Sequence, residues 1–282
     1  MASLSMPRVE KARGLKLMWN TVWARAYPRM IGAWREKSWT FFDVLLPTLG
    51  TIAFVFVYRA LDAPKEFEGF VVVGGAMTAF WLNVLWSMGA QLYWDKDQGN
   101  LELYVVSPGP LMGVLLGMAV GGLVMAGVRA AIILIFCSIV FHVSYSLSSL
   151  PLLVLAFFMT MTALYGMGML FASVFLVSGR DAWHLSNLFQ EPIYLAAGNY
   201  FPVISLGVVA AYVASIVPMT LGLDAIRQLL FQVEPKYVFL QVWQEIAILT
   251  VMAVIFICAA WYALSKLEIV GRREGRLIER RK

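Results

Sequence analysis

Charged residues are scarce in this chain. They make up 14% of its 282 residues, whereas hydrophobic residues make up 61%. Ordinary soluble domains carry roughly 25% charged and about 45–50% apolar residues, so the composition excludes a soluble globular domain. It predicts an all-α integral membrane protein, because an apolar helix satisfies its own backbone within the bilayer.

Cysteine and histidine are also rare. Cys137 and Cys258 lie in apolar runs without a C-x-x-C pair, which argues against a disulfide framework or a thiolate metal site. His142 and His184 are expected near opposite membrane faces, so no two-histidine metal site is expected within one subunit. Phosphate-loop, H-E-x-x-H and Gly-rich dinucleotide motifs are all missing. We therefore expect no catalytic residue, metal or cofactor on this chain, and no nucleic acid among its partners.

A cleavable signal peptide is not expected. The first forty residues hold eight Lys or Arg and lack a short apolar core before a small-residue cleavage site. The first apolar run is therefore predicted to remain in the protein as a membrane span.

Long apolar runs fill the region from residue 41 to residue 265. A helix that crosses a bilayer core of roughly 30 Å needs about 20 apolar residues. Five runs reach that length, and a sixth, which is shorter, carries Asn187, Gln190 and Glu191. The six predicted spans are 42–60, 70–90, 113–141, 151–177, 182–198 and 242–264.

One further run, between the fifth and sixth spans, is too short to cross. Residues 203–217, bounded by Pro202 and Pro218, would reach about 22 Å as a helix. We predict a re-entrant pair of short helices over about 203–230. This pair must pack on its own bundle, because irregular backbone at membrane depth has to be satisfied by protein or by a water-filled cavity.

The distribution of basic residues predicts the orientation. The arm 1–40 holds eight Lys or Arg, the connectors 91–112 and 178–184 hold one each, and the tail from Ser265 holds seven, so seventeen lie on one side in a six-span layout. The other side holds four. The positive-inside rule then places both termini, including the basic tail 266–282, in the cytoplasm of a multi-pass cell-membrane protein.

The N-terminal arm contains an amphipathic segment at 15–37. Apolar residues recur there at steps of three and four, while most basic residues fall on the opposite face. This pattern predicts a helix in the cytoplasmic interface, with tryptophans at headgroup depth and a bend at Pro28. It is either a peripheral membrane anchor or an arm that carries motion from a cytoplasmic partner.

Two of the charges inside the predicted spans raise the question of a buried ion pair. Arg129 and Glu191 lie at similar depths in the third and fifth spans. Because an ionised side chain at mid-membrane costs roughly 3 kcal/mol or more, we predict that they pair. A structural ion pair is one interpretation. The other is a proton relay, which would make the protein a secondary transporter or an intramembrane enzyme.

A charged stretch, DKDQGNLELYVVSP, connects the second and third spans. Asp95 and Asp97 suit a helix N-terminus, and Leu101, Tyr104 and Val105 form one apolar stripe before Pro108. A short amphipathic helix at about 94–107 would dock into a groove on another protein. A solvated connector is the alternative.

Three parts of the sequence resemble the membrane subunits of ABC exporters of the ABC-2 type. Gly99-Asn100-Leu101-Glu102-Leu103, followed by Ser107-Pro108, is similar to the G-T-L-E-x-L...T-P connector of that family. Gly198-Asn199-Tyr200-Phe201-Pro202 resembles the family's Y-F-P turn, and the segment from Pro218 to Arg227 resembles the P-x-T-x-x-x-x-x-x-R helix that follows it.

The resemblance implies a permease dimer of six plus six spans, driven by two separate ATP-binding cassette subunits that hold ATP and magnesium. The second permease is another copy or a homologue, and membrane lipids surround the pair. The connector would be a coupling helix seated in the ATPase, with contacts expected at Asp97, Gly99, Leu101, Glu102 and Tyr104. The family exports drugs, lipids, lipid-linked glycans and polysaccharides, and an amphipathic substrate fits the sparsely charged spans best.

The segment after the fifth span is predicted to form an extracellular gate. The residues assigned to it are Tyr200, Phe201, Pro202, Pro218 and Arg227. Pro218 can begin the second short helix because a first-turn residue needs no amide donor. Arg227 would lie near the outer end of that helix and pair with a lipid headgroup or with Asp224. A plug that only fills space between spans is the alternative.

Overall fold

The protein is a bundle of α-helices. The computed structural model describes residues 14–178 and 182–274, and within those ranges it contains helices and turns but no strand. The helices are α1 (Leu15–Arg35), α2 (Lys37–Ala60), α3 (Glu66–Val84), α4 (Gln91–Asp97), α5 (Asn100–Val106), α6 (Leu111–Phe141), α7 (Leu150–Ser178), α8 (Ala182–Ala196), α9 (Val208–Ala214), α10 (Pro218–Leu230) and α11 (Val242–Glu274). The predicted all-α class is confirmed.

Five stretches are long and apolar enough to cross a membrane. They are Thr40–Ala60, Glu66–Asp97, Leu111–Phe141, Leu150–Leu176 and Pro235–Leu267, and they correspond to five of the six predicted spans. The remaining predicted span contains α8, which has 15 residues and a length of about 22 Å. A crossing by α8 therefore stays a prediction. Helix α11 continues beyond the predicted end of the last span, and residues 275–282 of the basic tail lie outside the described ranges.

Helix α3 is the centre of the bundle. Nearly every one of its side chains is buried, including Trp81, which is fully enclosed. The surrounding helices α2, α6, α7 and α10 all contact it. This position explains a sequence that is apolar on every face, since an all-round apolar helix is stable only when it is surrounded by protein or lipid.

A π-helical turn, Leu85–Gly89, joins α3 to α4 without a break. Helices α3 and α4 and the turn between them form a single stretch of 32 residues. At 1.5 Å per residue this stretch is about 48 Å long, more than the roughly 30 Å bilayer core. We therefore expect α4, which carries the charged connector, to extend beyond the bilayer core.

Helix α1 packs along the first half of α6. Its Val22 and Ala26 are buried against glycines spaced four residues apart on α6. A Cβ added to Gly117 would lie 2.5 Å from the Val22 carbonyl oxygen, and one added to Gly121 would lie 3.1 Å from that of Ala26. Small residues at this spacing let two helix backbones approach closely. Trp19 and Trp23 remain exposed, and their predicted place at headgroup depth stays a prediction.

The segment between α8 and α11 contains the two predicted short helices. Helices α9 and α10 are bent by 113° at the break between them. Helix α10 is almost wholly buried against α7, α11 and α3, whereas α9 exposes most of its residues. The segment thus packs on its own bundle, as expected for a hairpin that does not cross the membrane. Its re-entrant path stays a prediction.

Candidate functional site

The connector after α4 turns sharply and then forms a second short helix. Gly99 has φ +82°, a left-handed conformation that favours glycine because it has no Cβ. Helix α5 follows from Asn100 to Val106 and ends before an extended Ser107 and Pro108. The predicted short helix is thus present, but it is divided between the last turn of α4 and the whole of α5.

Leu101 and Tyr104 share one face of α5, as the sequence predicted, but the contacts of that face differ from the prediction. Leu101 is fully buried in the bundle, and Tyr104 is half-buried beside it. Leu103 and Val106 are exposed by 68% and 84%, and Glu102 lies with them on the outer face. The predicted stripe residues Leu101 and Tyr104 are therefore directed at the protein's own core. The face open to a partner consists of Glu102, Leu103 and Val106.

A buried carboxylate holds α4, α5 and α1 together. The Asp95 side chain is 3% exposed and accepts a hydrogen bond from Arg25 Nη2 at 2.7 Å. It also accepts from the Tyr104 hydroxyl at 3.1 Å and from Gln91 Nε2 at 3.0 Å, and the Arg25 guanidinium lies over the Tyr104 ring. A buried charge needs such partners to offset its lost hydration. We call Arg25, Gln91, Asp95 and Tyr104 the connector cluster.

Tyr104 remains a hydrogen-bond donor over the physiological pH range. Burial, and then the negative charge of Asp95, raise the pKa of its hydroxyl to about 12. Sequence reasoning found Asp95 and Tyr104 but missed their partner Arg25, which it placed on the polar face of a membrane-surface helix. The contact joins residues 70 positions apart and depends on how α1 packs.

A second arginine of α1 caps the π-helical turn. Arg29 donates from Nη2 to the carbonyl oxygen of Ser87. A π turn leaves a main-chain carbonyl without its usual α-helical partner, and a guanidinium can supply that donor. Burial, and then the positive charge of Arg25, lower the pKa of Arg29 to about 10, so it still carries its charge at neutral pH. Helix α1 is therefore attached to the connector through Arg25 and to the end of the second span through Arg29.

At the other end of the bundle, Arg227 organises the predicted gate. Its side chain is buried and donates from Nη1 to the carbonyl oxygens of Gly198 at 2.7 Å and Phe201 at 3.2 Å. From Nη2 it donates to the carbonyl oxygens of Asn199 at 2.7 Å and Phe70 at 2.9 Å. The planar guanidinium presents N–H donors to four carbonyl oxygens at once, a geometry that the single ammonium group of a lysine cannot reproduce.

This arrangement corrects the role predicted for Arg227. The sequence suggested an arginine that points outward to a lipid headgroup or pairs with Asp224. The structure instead directs the guanidinium inward, where it fastens the turn 198–201 to α10 and α3. Asp224 is occupied by other donors, Gln228 Nε2 at 2.9 Å and the Phe239 amide at 3.1 Å.

The aromatic residues of the turn lie against α2. The Tyr200 ring stacks on Phe54 with ring centroids 4.0 Å apart, and its carbonyl oxygen accepts from the Tyr58 hydroxyl at 2.9 Å. Gly74 of α3 allows the backbone of Asn199 to lie so close that a Cβ would overlap it. The predicted gate residues Tyr200 and Phe201 are thus held by contacts from three helices.

The two prolines of the predicted gate lie at different places. Pro202 is buried next to the turn, whereas Pro218 is the first residue of α10. Pro218 lies nine residues before Arg227, about 14 Å along the helix. The structure therefore brings together Tyr200, Phe201, Pro202 and Arg227 and leaves Pro218 at the far end of α10.

Arg129 has a carboxylate partner on α2. Its Nη1 lies 2.7 Å from Asp43 Oδ2, and both side chains are largely shielded. The side chain of Glu191 lies outside the described residues, so its predicted contact with Arg129 stays a prediction. Asp43 lies near the start of the first predicted span and far from Arg129 in the sequence, so the pairing depends on how α2 packs against α6.

Metal chemistry finds no support in the part of the chain that the structure describes. No group of three or more His, Cys, Asp or Glu residues there is arranged to hold a metal ion. The two cysteines are free, with Cys137 buried and Cys258 exposed.

Comparison with known proteins gives one match. A family model described as ABC-2 type transporter matches residues 21–231, which include the connector and the turn 198–201. No curated protein has a significant match to the chain.

Proposed function

Because the chain belongs to the ABC-2 type transporter family, we propose that it is the membrane-spanning permease subunit of an ATP-driven exporter. A separate ATP-binding cassette subunit would hold ATP and magnesium, and a second permease copy or a homologue would complete the transporter. In this proposal the chain lies in the cell membrane with both termini in the cytoplasm. Its substrate is amphipathic: a drug, a lipid or a lipid-linked glycan.

The outer face of α5 is the observation that carries this proposal. Leu103 and Val106 are large apolar side chains that face away from the bundle at the end of a helix projecting from the membrane. Glu102 beside them supplies a charge. An exposed apolar pair with one adjacent charge suits a groove on a partner protein. The apolar residues would contribute affinity, and the charge would fix the position of α5 in the groove.

The connector cluster supports a mechanical role for this face. The side of α5 opposite Leu103 is tied through Asp95 to α4 and to Arg25 of α1. Helix α4 continues through the π-helical turn into α3, the central helix. A displacement of α5 by a partner would therefore reach α1 and α3 together, since rigid packed elements transmit movement between sites.

The hairpin of α9 and α10 supports a gate that opens between two permeases. Helix α10 is anchored inside the bundle, whereas α9 exposes Val208, Val209, Tyr212 and Val213. In our proposal α9 meets its counterpart on the second permease above the translocation path. The aromatic contact of Phe54 with Tyr200 would offer an apolar surface to the apolar part of a substrate.

The proposal is tested by asking which protein remains bound to the chain. A tagged chain purified from its native membrane is expected to carry a phosphate-loop ATPase. Leu103→Glu should remove most of that ATPase and most of the transport, because it places a charge in the apolar contact. Leu61→Glu is the matched control, since Leu61 is 70% exposed but lies at the opposite end of the second span. Equal retention of the ATPase by both variants would exclude α5 as its binding site.

The alternative function depended on Arg129 and Glu191 as a proton relay. Arg129 is neutralised by Asp43 at 2.7 Å, which accounts for a buried cation without a transport role. This pairing favours the exporter over a secondary transporter or an intramembrane enzyme.

A further inference from the structure

Two carboxyl groups meet where α10 packs on the first turn of α11. Asp224 is 5% exposed and Glu245 is completely buried. The same side-chain nitrogen of Gln228 lies within 3.3 Å of an oxygen of each, so the two carboxyl groups are neighbours. Gln228, one turn after Asp224 on α10, lies against both.

The donors at this site are too few for its acceptors. Gln228 Nε2 lies 2.9 Å from Asp224 Oδ2, 2.7 Å from the Leu240 carbonyl oxygen and 3.3 Å from Glu245 Oε2, yet an amide nitrogen carries only two hydrogens. The Phe239 amide serves Asp224 as well, at 3.1 Å. Glu245 Oε1 is buried and receives no hydrogen bond. A buried carboxylate oxygen without a hydrogen-bond donor is unfavourable, so the site lacks one donated hydrogen.

Among the described residues, neither Asp224 nor Glu245 forms an ion pair with a basic side chain. Arg227 is the nearby cation; its positive charge acts on Asp224, while its hydrogen bonds go to main-chain carbonyls. On the connector before α11, Lys236 pairs with Glu234 at 2.6 Å in solvent. Helix α7, which packs on both α10 and α11, has Tyr165 as its one titratable residue, and that hydroxyl donates to Asn83.

We propose that Asp224 and Glu245 form a proton-binding site in which one proton is carried by Glu245. The hydrogen on Glu245 Oε1 is donated to the Asp224 carboxylate, so the unsatisfied oxygen becomes a donor and the pair carries one negative charge instead of two. Two adjacent carboxylates in a shielded place do not both ionise readily, because each charge disfavours the other.

The proton connects the hairpin to the last span. With the proton in place, Glu245 of α11 and Asp224 of α10 are joined by a hydrogen bond. Without it, two negative charges face each other across the same contact and repel. The site therefore fastens α10 to α11 only while it is protonated, whether or not the protein exports anything.

Infrared spectroscopy of the purified chain in lipid nanodiscs tests the proton directly. At about pH 7 the wild-type protein should show a carbonyl stretch from a protonated carboxylic acid, since an exposed glutamate has a pKa near 4.3 and is ionised there. Glu245→Gln should remove that band. Glu234→Gln, which changes an exposed carboxylate of the same connector, should leave it unchanged. A band that survives in Glu245→Gln, or no difference between that variant and the wild type, would overturn the proposal.

Thermal unfolding measured against pH gives a second test. Folding takes up a proton if Glu245 is protonated in the folded protein and ionised in the unfolded chain. Stability is then full at low pH and falls as pH rises, by up to about tenfold in the folding equilibrium constant for each pH unit. Between about pH 6 and about pH 9, Glu245→Gln and Asp224→Asn should each flatten this fall. Glu234→Gln should retain it.

If one of the two carboxyl variants fails to fold, the other still tests the proposal, because either substitution alone removes the repulsion between the two negative charges. An unchanged pH profile in every variant that folds would refute the shared proton. A midpoint that depends on sodium at constant pH, and becomes independent of it in Glu245→Gln, would replace the proton with a bound cation and refute the proposal equally.

Discussion

Replacing Arg25 with methionine removes the cation of the connector cluster and keeps much of its apolar length. The Asp95 carboxylate, 3% exposed, would then retain only the Tyr104 hydroxyl and the Gln91 amide as donors. Breaking a fully buried ion pair costs about 3–5 kcal/mol, whereas a fully exposed pair contributes about 0.2–1 kcal/mol. Because the Arg25 side chain is 27% exposed, we expect a loss of about 2 kcal/mol in the free energy of unfolding.

A double-mutant cycle isolates the contact from the other effects of each substitution. Asp95→Asn should itself be destabilising, but in that background Arg25→Met should cost much less, which gives a coupling energy of about 1–2 kcal/mol. The measurement is reversible unfolding of the purified chain in mixed micelles. Lys16→Met is the control, since it removes an exposed cation from the same helix. A coupling energy below about 0.5 kcal/mol would show that the pair does not hold α1 to the connector.

Three further predictions concern helix packing, the hairpin and the orientation. Gly117→Val should push α1 off α6 and lower the midpoint of thermal unfolding. Gly127→Ala is the control and should leave the midpoint unchanged, because a Cβ there meets nothing within 4 Å. Equal effects of the two substitutions would contradict the close packing of α1 on α6. Arg227→Lys should loosen the turn 198–201 and increase protease cleavage there without changing the spans, because one ammonium cannot replace the four-acceptor fork. In a background without the two native cysteines, an impermeant thiol reagent should label Ala63→Cys from outside and Gly271→Cys only from the cytoplasm; the reverse pattern would contradict the predicted orientation.

Local patterns in the sequence were sufficient for the parts of the fold that depend on local chemistry. Apolar length identified the five long spans. Pro202 and Pro218 marked the limits of a segment too short to cross; the structure has the short helix α9 within it and begins α10 at Pro218. Pro108 likewise marked the end of a short helix, whereas the break at Gly99 falls inside the predicted helix of about 94–107. Each of these features is set by the residues within it, so it is visible without tertiary contacts.

The faces and partners of these elements depend on contacts between distant residues. Leu101 and Leu103 are the same amino acid two positions apart, and only the packing of α5 on the bundle decides that Leu101 is buried. The turn 198–201 supplies three of the acceptors of Arg227 but lies 26 to 29 residues away in the sequence. The sequence does not show this contact, and it therefore suggested an arginine that faces outward. Long-range pairing of this kind leaves no periodic signal in the sequence.

The π-helical turn at Leu85–Gly89 determines which way the connector faces. A π turn holds one residue more than the α-helical turn it replaces, and each residue of an α-helix advances the side-chain direction by roughly 100°. Every position after Gly89 is therefore rotated by about that angle from where an uninterrupted α3 would place it. If the same residues formed an ordinary α-helical turn, Asp95 would be turned away from Arg25. Deleting one residue within the π turn should therefore restore a regular α-helix and keep the orientation of the connector, whereas deleting one residue from the α-helical part of α3 should rotate the whole connector by roughly 100°.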